Sequence, residues 1–301
     1  MERIYADRKY IIIGFFLLIG LFFLARLFYV QILVDKINLG LCVTNRRDDG
    51  YHNIETLFYP LGFSDILEVL PNRNNASGTI SIQLSGIKVD GPQDTNLVVR
   101  AYKLLNELVG LPAVDVYLHK IIPTGSGLGG GSSDGASILL ILNKLFDLNL
   151  SYCELFSLAI KLGSDCPFFL DPIPSFARGR GEELNLAEVS LKGLTICLFY
   201  PGTGISTAAA YKHVHLASQG LPFNQMESLP VEGWKEIVIN SFEEYAFEQH
   251  PVIGNIKSEL YRSGAIYSSM TGSGSAVYGL FNTEPEIPKE ISDYLIWKET
   301  F

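Results

Sequence analysis

From Pro123 to Ser133 the chain runs through Thr124, Gly125, Ser126, Gly127, Leu128, Gly129, Gly130, Gly131 and Ser132: five glycines and three serines in eleven positions. Backbone without side chains can turn its N–H groups inward and approach a polyphosphate closely. A helix that follows adds its unpaired N-terminal N–H groups and its dipole to the pull on anions. The hydroxyls of Ser132 and Ser133 are placed to serve phosphate or Mg²⁺. No Gly-Lys-Ser/Thr closes the run, so it is not a Walker A loop. It also lies too far from the start of a βαβ unit with an acidic ribose ligand to be a dinucleotide fingerprint. The plain alternative is a flexible linker, which the tight flanking by a strand and an apolar helix disfavours. A second short turn, Thr271, Gly272, Ser273, Gly274, Ser275, precedes the apolar run Val277 to Phe281. Alone it is as well read as a strand-entry turn. Beside the first loop it suggests a second wall of one site.

These loops need elements to aim them. Val114 to His119 is a strand candidate leading into the first loop. Ala136, Ile138, Leu139, Leu140, Leu142 and Leu145 make Ser133 to Phe146 a largely buried helix. Asn96 to Leu108 carries apolar residues at helical spacing, with Gly110 just past its end as a C-cap. Ser151 with Glu154 three residues on is a capping box for a helix to Leu162. Strands are expected at 37–43, 54–61, 66–70, 79–84 and 194–200, with a turn at 45–50. From Lys36 onward the chain therefore reads as a soluble α/β protein. A soft boundary follows Arg178-Gly-Arg-Gly181 and divides 36–181 from 182–301. No internal repeat or low-complexity tract interrupts it.

With 301 residues, 48% of them hydrophobic, the chain can fill one large core or two smaller ones. Its net charge of -9 and the lack of any basic cluster beyond Arg46-Arg47 speak against nucleic acid. An acidic protein that handles a phosphorylated ligand must do so with a local site. The four cysteines form no C-x-x-C pair and no zinc spacing, so they are expected to be buried, reduced thiols. His213 and His215 suggest no third metal ligand.

Five segments carry a resemblance: Lys36-Ile-Asn-Leu39, Gly50-Tyr-His52, the loop 123–133, Leu162-Gly-Ser-Asp-Cys-Pro167 and Thr271-Gly-Ser-Gly-Ser275. Their order and spacing resemble those of the GHMP kinases, over nearly all of residues 36–301. The likeness is strongest to the branch that phosphorylates the 2-hydroxyl of a cytidine-diphosphate-bearing methylerythritol on the way to isoprenoid precursors. It implies an α/β (α+β) two-domain GHMP kinase fold with the active site in the interdomain cleft, an ATP-binding N-terminal domain at 36–181 and a C-terminal domain at 182–301. ATP and Mg²⁺ are the implied cofactors, and the partner is a small molecule carrying a cytidine diphosphate. The assembly is expected to be a monomer or a homodimer.

The resemblance also assigns roles. Asp165 matches the catalytic aspartate, and Lys36 the lysine that holds it ionised and steadies the transferring group. Without the family, Asp165 is as well read as a turn residue before Pro167, and Lys36 as a solvated strand-end lysine. Asn38 and Asn96 match polar residues of the substrate site. Tyr51, His52 and Tyr211 match the residues that sandwich and read a cytosine. Lys120 and the loop Pro123–Ser133 fall on the ATP side, and Thr271, Gly272 and Ser273 on the substrate side. Homoserine- or mevalonate-type kinases of the same family, or a catalytically impaired nucleotide-binding chimera, are the competing readings.

The approach to Lys36 departs from the family. Asp35 stands where a small apolar residue is expected, and its carboxylate could compete for Lys36. Before it, Tyr10 to Ala25 carries no charge, and Tyr10 to Val34 would make a helix of roughly 37 Å, long enough to span a bilayer core. Residues 1–35 resemble the membrane anchor of class B penicillin-binding proteins. Arg3, Arg8 and Lys9 would keep that tail in the cytoplasm and send the rest outside, away from ATP. Three readings stand: a reversed orientation of an inner-membrane anchor, a segment that does not span, or a chimeric junction near Asp35. If it does not span, alternating Val30, Ile32 and Val34 predict a first strand over 28–43.

Overall fold

A computed structural model describes residues 29–301. The elements run β1 (Tyr29–Ile32), β2 (Asp35–Arg46), β3 (His52–Leu61), β4 (Ile66–Pro71), β5 (Ile80–Gly86), α1 (Leu97–Val109), β6 (Val114–Lys120), α2 (Gly130–Leu145), α3 (Tyr152–Leu162), β7 (Ser175–Arg178) and β8 (Glu183–Leu186). They continue as β9 (Thr195–Phe199), α4 (Thr207–His213), α5 (Phe223–Ser228), α6 (Glu243–Gln249), α7 (Pro251–Arg262), β10 (Tyr267–Met270), β11 (Val277–Phe281), α8 (Lys289–Ser292) and β12 (Leu295–Thr300). The strands form three four-stranded sheets, ordered β1-β4-β6-β5, β2-β3-β7-β8 and β10-β11-β9-β12.

Sequence pattern explains the layering. In β6, Val114, Val116 and Leu118 are buried while Tyr117 and His119 face out, the alternation of a sheet covered on one side. Its inner face packs with α1, α2 and α3 around Tyr102, Leu139 and Leu158. The strand β2 instead reads as a nearly unbroken buried run, because its sheet is the middle layer. Phe58 and Ala177 of that sheet join the helical core, while Ile37, Leu39 and Leu57 meet Ile196, Leu198 and Tyr278 of the last sheet. Beyond that last sheet, α6 and α7 bury Ala246, Ile253 and Ile256 against Phe199 and Val277. The strand β8 lies just past the expected boundary at 181 and pairs with β7.

The helix starts follow local chemistry. Asn96 caps α1 by accepting the Val98 N–H at 2.9 Å. Ser151 and Glu154 form the expected capping box of α3. Cys42, Cys166 and Cys197 are buried, whereas Cys153 is exposed on α3. Burial raises the thiols of Cys42 and Cys197 to about 11 and that of Cys166 to about 12, so all three stay protonated.

The predicted helix over 10–34 is not continuous. Residues 29–32 form β1, antiparallel to β4, and β2 then starts in a different sheet, so 28–43 is not a single strand either. The rest of the hydrophobic run lies outside the described residues. Among the described residues no helix is long and apolar enough to cross a membrane.

Candidate active site

A cleft of about 900 Å³ opens where β2, the glycine loop, the turn before β11 and α4 converge. Strand alternation turns Lys36 and Asn38 to the same side of β2. Lys36 is only 2% exposed, so its ammonium must find partners inside the protein. It donates to Asn38 Oδ1 at 2.6 Å and to the Gly127 carbonyl at 3.3 Å, and it lies 3.3 Å from Asp165 Oδ2. The Phe58 ring underlies it at 4.8 Å. Asp165 is one-third exposed, a carboxylate open to the cleft yet tied to a buried cation. It stands at the start of the 3₁₀ turn Cys166–Leu170, aimed by the break that Gly163 and Pro167 impose after α3.

The two glycine segments pack backbone to backbone. Gly127 has φ +83, and a Cβ there would sit 2.1 Å from the Thr271 carbonyl oxygen; one on Gly272 would sit 2.7 Å from the Gly127 carbonyl oxygen. Only glycine permits this approach. Thr271 Oγ1 accepts the Asn38 N–H at 2.9 Å, with Asn38 Oδ1 and the Gly127 carbonyl each 3.3 Å away as acceptors for its proton. Asn38 also donates to Thr56 at 2.9 Å. Ser273 shares a 3.0 Å hydrogen bond with Thr207 at the rim.

Of the loop residues, Gly125, Gly127 and Gly129 line the cleft. Gly129 leads into α2 without a side-chain cap, leaving the first N–H groups of a sixteen-residue helix free for an anion. Pro123, Ser126, Leu128 and Gly130 are buried and shape the loop from behind; Ser126 donates to the Pro123 carbonyl at 2.7 Å. Thr124 and Gly131 are exposed. Ser132 turns toward the Cys166 thiol, and Ser133 donates to the Val34 carbonyl at 2.6 Å, so neither hydroxyl lines the cleft.

Two expected ligand contacts are structural instead. Asn96 is the cap of α1 and does not line the cleft. Lys120, 2% exposed, bonds Asp65 and, at 2.7 Å, Asp134. Asp65 also accepts the Ile121 and Ile122 N–H groups at 2.6 and 3.0 Å. Lys120 therefore clamps the strand entering the glycine loop to the helix leaving it. Burial raises the Asp134 carboxyl to about 7 despite that cation. Burial also opposes the charge on Lys120, but the two carboxylates outweigh it and raise the lysine.

Asp35 does not compete for Lys36. It points to the other face of β2, is fully buried, and neither of its carboxyl oxygens has a hydrogen-bond partner. The adjacent Lys36 N–H, whose proximity partly offsets the burial of this carboxyl, donates to the Leu128 carbonyl at 3.3 Å. Burial, reinforced by Asp65 and opposed by Lys36 and Lys120, raises the Asp35 carboxyl well above its ordinary range.

At the far end stand Tyr51, His52 and Tyr211. Of these rings, His52 and Tyr211 stack on each other, 5.0 Å apart and 24° from parallel. Burial, then the charge of Arg46, lowers the His52 imidazole, leaving it neutral with one donor and one acceptor nitrogen. Burial raises the Tyr211 phenol to about 12. Among the described residues four cations line the cleft, Lys36, Arg46, Arg180 and Lys212, against one carboxylate, Asp165. In a chain of net charge -9, that local excess selects an anionic ligand. Arg46, Arg180 and Lys212 were not picked out from sequence; Arg180 had a signal, the Arg178-Gly-Arg-Gly181 segment. Asn240, also unforeseen, donates to the Met270 and Gly272 carbonyls at 2.8 and 2.9 Å and braces the second glycine turn.

Family models for the GHMP kinases N terminal domain and the GHMP kinases C terminal match residues 96–171 and 230–295. A 4-diphosphocytidyl-2-C-methyl-D-erythritol kinase from Bacteroides thetaiotaomicron is 46% identical over 254 residues, 84% of this chain and 92% of its own. The chain belongs to the GHMP kinase family. It is an ATP-dependent small-molecule kinase of α+β, two-domain fold. A crystal structure of 4-(cytidine 5'-diphospho)-2C-methyl-D-erythritol kinase superposes with a TM-score of 0.70 at 35% identity, covering 84% of this chain and 90% of that one. A homoserine kinase structure from Cytophaga hutchinsonii superposes at 0.62 with 16% identity, covering 84% and 85%, which speaks to the fold alone. Within this GHMP kinase the glycine loop and the Lys36–Asp165 pair face one cleft.

Proposed function

We propose that the cleft transfers the γ-phosphoryl group of ATP to the tertiary 2-hydroxyl of 4-diphosphocytidyl-2-C-methyl-D-erythritol. The observation that carries the chemistry is the buried Lys36, 3.3 Å from a cleft-facing Asp165 and bonded to the glycine loop through the Gly127 carbonyl. The kinases bearing that substrate's name, at 46% and 35% identity, support the acceptor.

Asp165 accepts the proton of the substrate hydroxyl as its oxygen bonds to the γ-phosphorus. The bond from that phosphorus to the β–γ bridging oxygen breaks, and ADP leaves with the electron pair. Lys36, 3.3 Å from Asp165, orients that carboxylate and offers positive charge where the transferring oxygens gather it. The N–H groups of Gly125 to Gly131 and the start of α2 hold the phosphates. Asn38, fixed by Thr56 and Thr271, orients the acceptor. His52 reads the cytosine edge while Tyr51 and Tyr211 bracket the ring. Among the described residues no group of three or more His, Cys, Asp or Glu has the geometry to hold a metal ion. Mg²⁺ would enter with ATP, held by the nucleotide phosphates, and would supply charge neutralisation there.

The test is a substrate screen with ATP. Phosphorylation of the cytidyl substrate with homoserine and mevalonate inert is expected; strong turnover of homoserine and none of the cytidyl alcohol would overturn the assignment. The need for ATP places the catalytic part in the cytoplasm. If residues 10–28 anchor it, activity will sediment with membranes of the native host.

A further inference from the structure

We propose that Arg180 is a positioning residue that holds the Tyr51 ring as the stacking platform for the pyrimidine base. The inference rests on the cytidyl substrate proposed above. Tyr51 follows a solvent-exposed turn and is 55% exposed, so little of the fold fixes its ring. The group over its face is the Arg180 guanidinium, 4.8 Å from the ring centroid. Both residues line the same cleft as Asp165.

Arg180 is itself rigidly mounted at the tip of the β7–β8 hairpin. The Gly181 N–H closes that tip on the Arg178 carbonyl at 3.0 Å, and the Ile54 N–H ties it to β3 through the Gly179 carbonyl at 2.8 Å. Glu182 accepts the Arg180 N–H at 2.6 Å and lies 3.5 Å from its Nε. Gly181 has φ +120, and a Cβ there would lie 3.4 Å from Asp165 Oδ1. The hairpin tip thus passes beside the catalytic carboxylate and delivers the guanidinium onto Tyr51. A planar guanidinium stacks flat on an aromatic face, whereas a lysine ammonium meets it only as a point charge. Holding the ring before the nucleotide arrives removes an ordering cost from binding. One arginine therefore links the base end of the cleft to its reacting end.

The experiment compares wild type, Arg180→Met, Arg180→Lys, Tyr51→Leu and the double variant Arg180→Met/Tyr51→Leu. Calorimetry measures affinity for cytidine and for CDP, and steady-state assays give kcat and KM. Arg180→Met is expected to weaken cytidine about two- to five-fold, as for an exposed cation–ring contact, and CDP by at least that factor because a cleft cation is also removed. KM for the cytidyl substrate should rise to match, with kcat and the KM for ATP holding within about two-fold. Arg180→Lys should recover only part of the loss. In the Tyr51→Leu background, Arg180→Met should add nothing to the loss for cytidine, the uncharged probe. A loss for CDP but not for cytidine would show a direct contact to phosphate and overturn the positioning role, as would a full loss that persists without Tyr51. Unchanged affinities in Arg180→Met would overturn it too. If wild type binds neither cytidine nor CDP, the substrate assignment itself fails.

Discussion

Asp165 gains its role from Lys36, and each explains the other's environment. A lysine at 2% exposure is tolerable because Asn38, the Gly127 carbonyl and Asp165 surround its ammonium. Asp165→Asn keeps the shape and removes the base. It should lower kcat by about 10²–10⁴ while ATP affinity stays within about two-fold, as read by single-turnover assays and nucleotide titration. Unchanged turnover would remove Asp165 from the chemistry. Asp35 makes the opposite case: a buried carboxyl with no partner for either oxygen. Its raised pKa means the folded chain keeps a proton that the unfolded chain sheds near pH 4. Stability from this group is therefore full below pH 4 and is lost as pH climbs toward the raised value. Asp35→Ala should stabilise the fold by about 1–3 kcal/mol at pH 8 and by less at pH 5, in urea unfolding at both pH values. A pH-independent difference, or a loss of stability, would show that the carboxyl has a partner after all. Which side each of these residues faces was legible only as far as strand alternation reaches. It separates Lys36 from Asp35, but it cannot say that Asp35 meets no donor.

At the scale of elements, the regular pieces were legible because their signals are local. Asn96, Gly110, Ser151 and Glu154 mark helix ends by chemistry confined to one turn. The same locality explains the misplacements. An asparagine that caps a helix and one that holds a ligand look alike in sequence, so Asn96 was expected in the cleft. Lys120 stands beside the glycine loop in the chain, but Asp65, 55 residues earlier, and Asp134 pull it beneath the loop. Asn240 and Arg180 reach their positions through a turn brace and a hairpin tip, and no spacing rule encodes either. The glycine loop was legible as a cradle, while its partner surface was not: Gly127 must be glycine because Thr271, 144 residues on, presses against it. Gly127→Ala should therefore cost at least about 1–2 kcal/mol from its left-handed backbone alone, with the clash added. ATP KM and melting temperature should both worsen. A variant with wild-type ATP KM and stability would mean that the two glycine turns do not pack as described.

Across the described molecule, the two halves share an apolar seam. Ile37, Leu39 and Leu57 of the middle sheet pack with Ile196, Leu198 and Tyr278 of the last sheet, and Tyr278 donates to the Asn38 carbonyl at 2.9 Å. The cleft lies over this seam, so Lys36 from one side and Thr271 from the other are held in register by a core rather than by a flexible linker. Chains with two separate cores commonly unfold in steps. Here neither half can expose its side of the seam without stranding the other's apolar face and the buried Asn38–Thr271 hydrogen bond. Unfolding should therefore be a single transition, with far-UV and near-UV signals coincident and the calorimetric and van't Hoff enthalpies equal. Leu57, fully buried in the seam, gives the decisive perturbation. Leu57→Ala should cost about 2–5 kcal/mol and move the whole transition down together, raising the KM values for both ATP and acceptor as the two walls lose register. If it instead splits the curve in two, with one half melting early and the glycine loop still binding nucleotide, the halves are independent and the cleft is held by its loops alone.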